Sequence, residues 1–289
     1  MGTITEIAWT DHSWNCWRGC SKISQGCDFC YAEQMSTRNP AVLGEWGPDG
    51  TRVVAAESYW KLPHKWNRAA EAEGRRHRVF CLSLGDWLED RPELIPVRAR
   101  LLTTIAETPW LDWQLLTKRP EGWEDRIHEI TYTEDKTAAD LAWDWLLGTP
   151  PPNVWVGAST ENQEMADLRI PLLLQIPAAV RFVSAEPLLG PVTILREWRG
   201  LGHRFAEQAD GGPCCCGRPS AYHTGIDWLI VGGESGPNRR PVEIDWIASL
   251  VRQCSNAGIA AFVKQDGHAR PGQQGRIPDE LWIKEFPRV

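Results

Sequence analysis

Six short apolar runs, each closed by polar residues, constrain this chain more than any other feature. They lie at 78–84, closed by Gly85-Asp86; 113–117, closed by Lys118-Arg119-Pro120; 153–158, closed by Ser159-Thr160-Glu161-Asn162; 180–184, closed by Ala185-Glu186-Pro187; 228–233, closed by Glu234-Ser235; and 260–263, closed by Lys264-Gln265-Asp266. Most are nearly continuous in apolar residues rather than alternating. A strand of that composition is buried on both faces, as in a parallel sheet. Between runs, 92–107 and 242–257 carry apolar residues at helical spacing, and Gly258 follows the second as a helix stop. Strand–helix alternation of this kind predicts an α/β fold. Polar residues at every C-terminal strand end suit a partial or complete (β/α) barrel, whose active site lies at that end. A doubly wound open sheet would give a similar pattern. The expectation is one barrel domain over 1–289, with 4–10 as a first strand and a Cys-rich insertion at 199–225.

Composition narrows the class. Net charge is −7, so the chain has no global basic footprint. No run of about 18 apolar residues offers a membrane span. The first residues, MGTITEIAWTDHSW, lack a charged segment followed by an apolar one, so no signal peptide is expected. Nine cysteines without such a signal point to reduced thiols, metal binding and a cytoplasmic setting. Most of the 17 tryptophans are expected in the core or in surface grooves.

Cys20, Cys27 and Cys30 form a C-x6-C-x2-C loop with Phe29 just before the last cysteine. Three thiolates can hold three corners of an iron–sulfur cube or three positions around zinc. Cys16 or His12 is close enough in sequence to complete a zinc site; a cluster with an open iron needs only three. Phe29 can pack on a bound planar group. The loop precedes the strand–helix alternation, where the first β/α loop of a barrel would lie. A second zinc could sit in the glycine-rich insertion on Cys214, Cys216 and His223, although consecutive cysteines chelate poorly. Cys81 and Cys254 read as small core residues.

The segment Cys27-Asp28-Phe29-Cys30 resembles the C-x-aromatic-C end of the radical S-adenosylmethionine (SAM) motif, with six residues in the first spacing where three are usual. The wider pattern W-N-x-x-x-G-C-x-x-x-S-x-G-C-x-x-C-Y-A resembles the phage three-Cys-motif proteins, a family of phages and bacteria regarded as a divergent radical SAM branch. LLTKRP, VWVGASTEN, RFVSAEPLLGPV, DWLIVGGESGPNRRP and FVKQDG extend the resemblance over nearly the whole chain except the insertion.

The resemblance implies a radical SAM type of barrel with a [4Fe–4S] cluster on Cys20, Cys27 and Cys30. SAM would be chelated to the fourth iron and cleaved reductively to a 5′-deoxyadenosyl radical that abstracts hydrogen from a substrate. An electron donor is implied, and a partner protein is left open. Members of that family usually carry proline at the position of Cys16, which implies that Cys16 is not a required ligand. In that frame Asp86 would face the methionyl amine and Lys118 the carboxylate. Ser159, Thr160, Glu161 and Glu186 would meet the ribose hydroxyls or the sulfonium side. Gly232 and Gly233, beside Glu234, would let backbone approach adenine or ribose, since glycine has no Cβ. The phage setting makes a nucleic acid or nucleotide the candidate substrate, with Arg75, Arg76, Arg78, Arg239 and Arg240 as its local basic residues and tryptophans for stacking. The rival reading is a zinc-stabilised module that binds nucleic acid or protein without catalysis.

Overall fold

The structure, a computed structural model, describes residues 5–194, 198 and 225–288. Its strands are β1 (His12–Trp14), β2 (Trp17–Arg18), β3 (Val53–Val54), β4 (His77–Cys81), β5 (Leu111–Thr117), β6 (Val154–Ser159), β7 (Val180–Ala185), β8 (Trp228–Gly232) and β9 (Ala260–Gln265). The helices are α1 (Tyr31–Ser36), α2 (Pro40–Leu43), α3 (Glu57–Trp60), α4 (Leu62–Glu73), α5 (Ile95–Ala106), α6 (Trp123–Ile130), α7 (Lys136–Leu146), α8 (Gln163–Leu173) and α9 (Ile244–Ala257). Among the described residues, seven strands form one sheet in the order β1-β4-β5-β6-β7-β8-β9, and β2 and β3 form a separate ribbon. The order never reverses, which successive right-handed βα units produce and a doubly wound sheet does not. The fold is α/β with helices between parallel strands, and β1 and β9 stand at the two ends of the order.

By its internal contacts the chain divides into two compact units: Met1–Ile23, Ala32–Trp155 and Pro177–Ala179 form the first, and Ser24–Tyr31, Val156–Ile176 and Val180–Val289 the second. In the first, β1 runs parallel to β4 (His12 opposite Val79, Trp14 opposite Cys81) and β4 parallel to β5. Trp14, fully buried, meets the edges of Trp60 and Trp113 at centroid distances of 4.9 and 5.5 Å. The first strand begins later than 4–10. A turn closes Ile7–Thr10 through Thr10 N–H donating to the Ile7 carbonyl, and the Thr10 hydroxyl accepts from Phe80 N–H at 3.0 Å. The ladder to β4 therefore starts at His12.

Arg75, Arg76 and Arg78 lie at the N-terminal end of β4, away from the strand ends expected to carry function. They are engaged there: Arg75 and Arg78 with Asp11 at 3.1 and 2.9 Å, and Arg76 Nε with Asp112 at 2.8 Å.

In the second unit β7, β8 and β9 are parallel. Every residue of β7 and β8 is buried, as their apolar runs demand. Residues 283–285 line the outer edge of β9 antiparallel, with Val263 N–H donating to the Ile283 carbonyl at 2.9 Å. Helix α9 stops where the sequence places the stop: Gly258 has φ +67°, and its N–H donates back to Cys254 and Ser255 carbonyls. No described helix is long and apolar enough to cross a membrane. Residues 199–224, with Cys214, Cys216 and His223, lie outside the described residues.

Candidate functional site

The four cysteines of the N-terminal segment are not equivalent. None of them is in a disulfide, and Cys20, Cys27 and Cys30 are half-buried. Cys16 has no exposed surface and lies against the Cys81 thiol in the core; burial, and then Cys16, push the Cys81 thiol well up. The donor chemistry therefore offers three soft ligands and withdraws the fourth. Among the described residues, no group of three or more His, Cys, Asp or Glu side chains is drawn together as a metal-holding set. By unit, Cys20 belongs to the first, and Cys27 and Cys30 to the second.

Around Cys20 the ends of β4 and β5 supply a charged network. Arg119 Nη1 donates to Cys20 Sγ at 3.8 Å and to Asp86 Oδ2 at 3.0 Å, and its Nη2 donates to the Ser21 carbonyl at 2.8 Å. Asp86 also accepts from the Thr117 hydroxyl at 2.7 Å and from the backbone N–H of Leu88 and Lys118 at 3.0 and 2.9 Å. The Ser21 hydroxyl joins Arg52 and Glu89, a buried ion pair at 2.6 Å. Burial, and next the Asp86 carboxylate, push the Cys20 thiol up to about 12, while Arg119 pulls the other way. A metal would thus displace a proton from Cys20 on binding.

The Cys27–Cys30 segment is held by the ends of β6 and β8. Glu161, with no exposed surface, accepts from Arg169 Nη1 at 2.9 Å and from Gly26 N–H at 3.1 Å. A Cβ at Gly26 would stand 2.9 Å from the Glu161 carboxyl carbon, so glycine permits this approach. Glu234 accepts from Arg240 at N, Nε and Nη2 (2.8, 3.0 and 2.7 Å). Arg240 Nη2 also donates to the Gln25 carbonyl at 2.9 Å, and its Nη1 to Asp28 at 3.3 Å. The same guanidinium lies 5.0 Å from the Phe29 ring centroid, a cation–π contact. At the neighbouring strand ends Glu186 pairs with Lys264, spanning the end of β8 at Gly232-Gly233.

The residues expected to meet a cofactor thus mostly meet the protein. Asp86, Glu161 and Glu234 are carboxylates engaged by the chain's own donors, and Phe29 is faced by Arg240. The Ser159 side chain is buried, and its carbonyl accepts from Arg169 at 2.9 Å. Gly233 carries its close approach within the fold: a Cβ there would meet Gly267 N at 2.5 Å and Val242 at 2.7 Å. Lys118 is half-buried beside Asp86. The Thr160 hydroxyl, fully buried at the end of β6, has no partner among the described residues. Sequence reasoning missed the arginines Arg52, Arg119 and Arg169. The available signal was a carboxylate at the end of a buried strand, which needs a fixed cation.

Residues 4–287 match the model of a family described as a protein of unknown function (DUF5131). The chain belongs to that family. Neither a curated protein nor a solved structure matches it. The match covers the cysteine loop and every strand end described above.

Proposed function

We propose that Cys20, Cys27 and Cys30 hold an iron–sulfur cluster of the radical SAM kind and that the chain is an enzyme acting through it. One observation carries the reading. Of the four N-terminal thiols, three are half-buried, while Cys16 is fully buried against Cys81. A three-thiolate donor set leaves one metal position open for a small ligand, which a four-cysteine zinc knob does not. With SAM bound, such a cluster supplies the one-electron cleavage that starts hydrogen abstraction from a substrate.

The chain's own residues have defined tasks in this reading. Arg119 sets a cation against Cys20 Sγ, which favours the thiolate a metal needs. Glu161 and Arg240 fix Gly26 and Gln25, so the fold presets the backbone that leads into Cys27. Asp86 orients Arg119 and ties β4 to β5. Half-burial of the thiols limits water around them.

Anaerobic reconstitution tests the proposal. Wild-type protein should bind iron and absorb near ~400 nm. Cys20→Ala, Cys27→Ala and Cys30→Ala should each lose the iron, and Cys16→Ala should keep it. Equal loss in Cys16→Ala, or a colourless zinc-loaded wild type, would replace this reading with the zinc module. Reduced, iron-loaded protein should release 5′-deoxyadenosine from SAM; an intact reduced cluster that leaves SAM whole rejects the SAM part alone.

A further inference from the structure

We propose that the loops following β8 and β9 form a phosphate-binding surface for single-stranded nucleic acid, with Arg239, His268 and Arg270 as its donors. Its role as a substrate site rests on the iron–sulfur reading; the binding itself does not.

The two loops are one surface. Gly236 N–H donates to the His268 carbonyl at 3.2 Å, and Ser235 pairs with His268 as a parallel bridge. Arg239 reaches across them: Nε donates to the Gly267 carbonyl at 3.2 Å and Nη1 to the Gly236 carbonyl at 3.3 Å. These two contacts fix the guanidinium before any ligand arrives and leave Nη2 for one. His268 Nδ1 accepts from Arg270 N–H at 3.2 Å, so the neutral ring carries its proton on Nε2, a further donor. Arg239, His268 and Arg270 are all exposed.

The two buried acids of the neighbourhood are already matched. Glu234 is held by Arg240 at 2.7 Å and Asp266 by Arg276 at 2.8 Å, while Glu243 acts on Arg276. Among the described residues, neither Arg239 nor Arg270 has a carboxylate within ion-pair distance. That separates them from Arg75, Arg76 and Arg78, each neutralised by Asp11 or Asp112.

Guanidinium forks suit phosphate oxygens. Arg240 links this surface to Phe29, and Tyr31, in the same unit, is 45% exposed. Cationic loops and an exposed tyrosine in one unit match single-stranded nucleic acid, whose bases stack while its phosphates pair. An acidic peptide would use the forks and leave Tyr31 unused. Because the whole chain carries −7, a polyanion is repelled elsewhere and should bind at these loops in a salt-sensitive way.

The test is fluorescence anisotropy of labelled oligo-dT and oligo-U, about 20 bases long, with the full chain at about 50 and 200 mM salt. Wild type should bind both, and Arg239→Ala/Arg270→Ala should weaken binding about tenfold and lower the salt slope by about 2. Lys65→Ala/Arg68→Ala, which removes two exposed cations from α4, should bind as wild type does. Polyglutamate at equal charge should not displace the oligonucleotide. The proposal falls if wild type gives no signal at the lower salt, if Arg239→Ala/Arg270→Ala binds normally, or if polyglutamate competes fully. Cys27→Ala/Cys30→Ala should bind the oligonucleotide unchanged while lacking iron. A wild type that binds the oligonucleotide but never iron would leave this surface standing and remove the iron–sulfur reading.

Discussion

A carboxylate with no exposed surface needs fixed donors, and Glu161 has Arg169 and the Gly26 amide. Removing it would strand the Arg169 guanidinium, itself only 3% exposed, in the interior. Glu161→Ala should therefore cost about 3 kcal/mol or more in urea unfolding, as breaking a buried pair does. Gly26→Ala probes the other partner. Its new Cβ would push the loop from Glu161 while leaving every thiol present, so reconstituted protein should retain less iron at an unchanged free-thiol count. Unchanged iron would mean that the Gly26–Glu161 bond does not set the loop. At this scale the sequence was legible where chemistry is local. Three cysteines within eleven residues are visible without a fold. Arg119, 99 residues from Cys20, and Arg240, 215 residues from Gln25, are not, because only the sheet brings them to the loop.

Elements were read most securely where burial on both faces leaves an unbroken apolar run, as in β6, β7 and β8. The first strand was misplaced because His12–Trp14 has only three residues, two of them half-buried, and carries no such run. The residues after β6 show a second limit. Ser159-Thr160-Glu161-Asn162 reads as one polar strand end, yet its members divide between tasks. Glu161 holds the cysteine segment, while the Asn162 side chain accepts from Met165 N–H at 3.0 Å and caps α8. Asn162→Ala should lower stability by about 1 kcal/mol, the usual loss of an N-cap. Thermal unfolding measures it, with iron content expected to stay at the wild-type level. A parallel drop in iron would assign Asn162 to the site and not merely to the helix. The β8 and β9 ends were legible as polar, but their partition into matched acids and unmatched arginines depends on how two loops meet.

For the whole molecule, the buried titratable groups shape stability against pH, and they act in opposite directions at the two ends. Burial would raise Asp11, but hydrogen bonds from Arg78 outweigh it and hold the carboxyl at about 2, below its ordinary 3.8. A depressed acid contributes stability above its unfolded value and loses it as pH falls through the folded one. The contribution of Asp11 is therefore lost from about 3.8 down toward about 2. At the alkaline end, burial pushes Cys20 and Cys254 from 9.0 up to about 12, aided by Asp86 and Glu285 respectively. Their folded state prefers the protonated thiol, so stability falls as pH rises from 9.0 toward about 12. Lys284, half-buried and lowered to about 8 by burial and by Lys264, works against this trend between about 8 and 10.5. Its exposure keeps that opposing effect small. Melting temperature followed across pH should show both limbs in iron-free protein. Asp11→Asn should flatten the acid limb, and Cys254→Ala should shallow the alkaline one without removing it, since Cys20 still contributes. An alkaline limb unchanged in Cys254→Ala would mean that this thiol ionises in the fold as readily as in the unfolded chain.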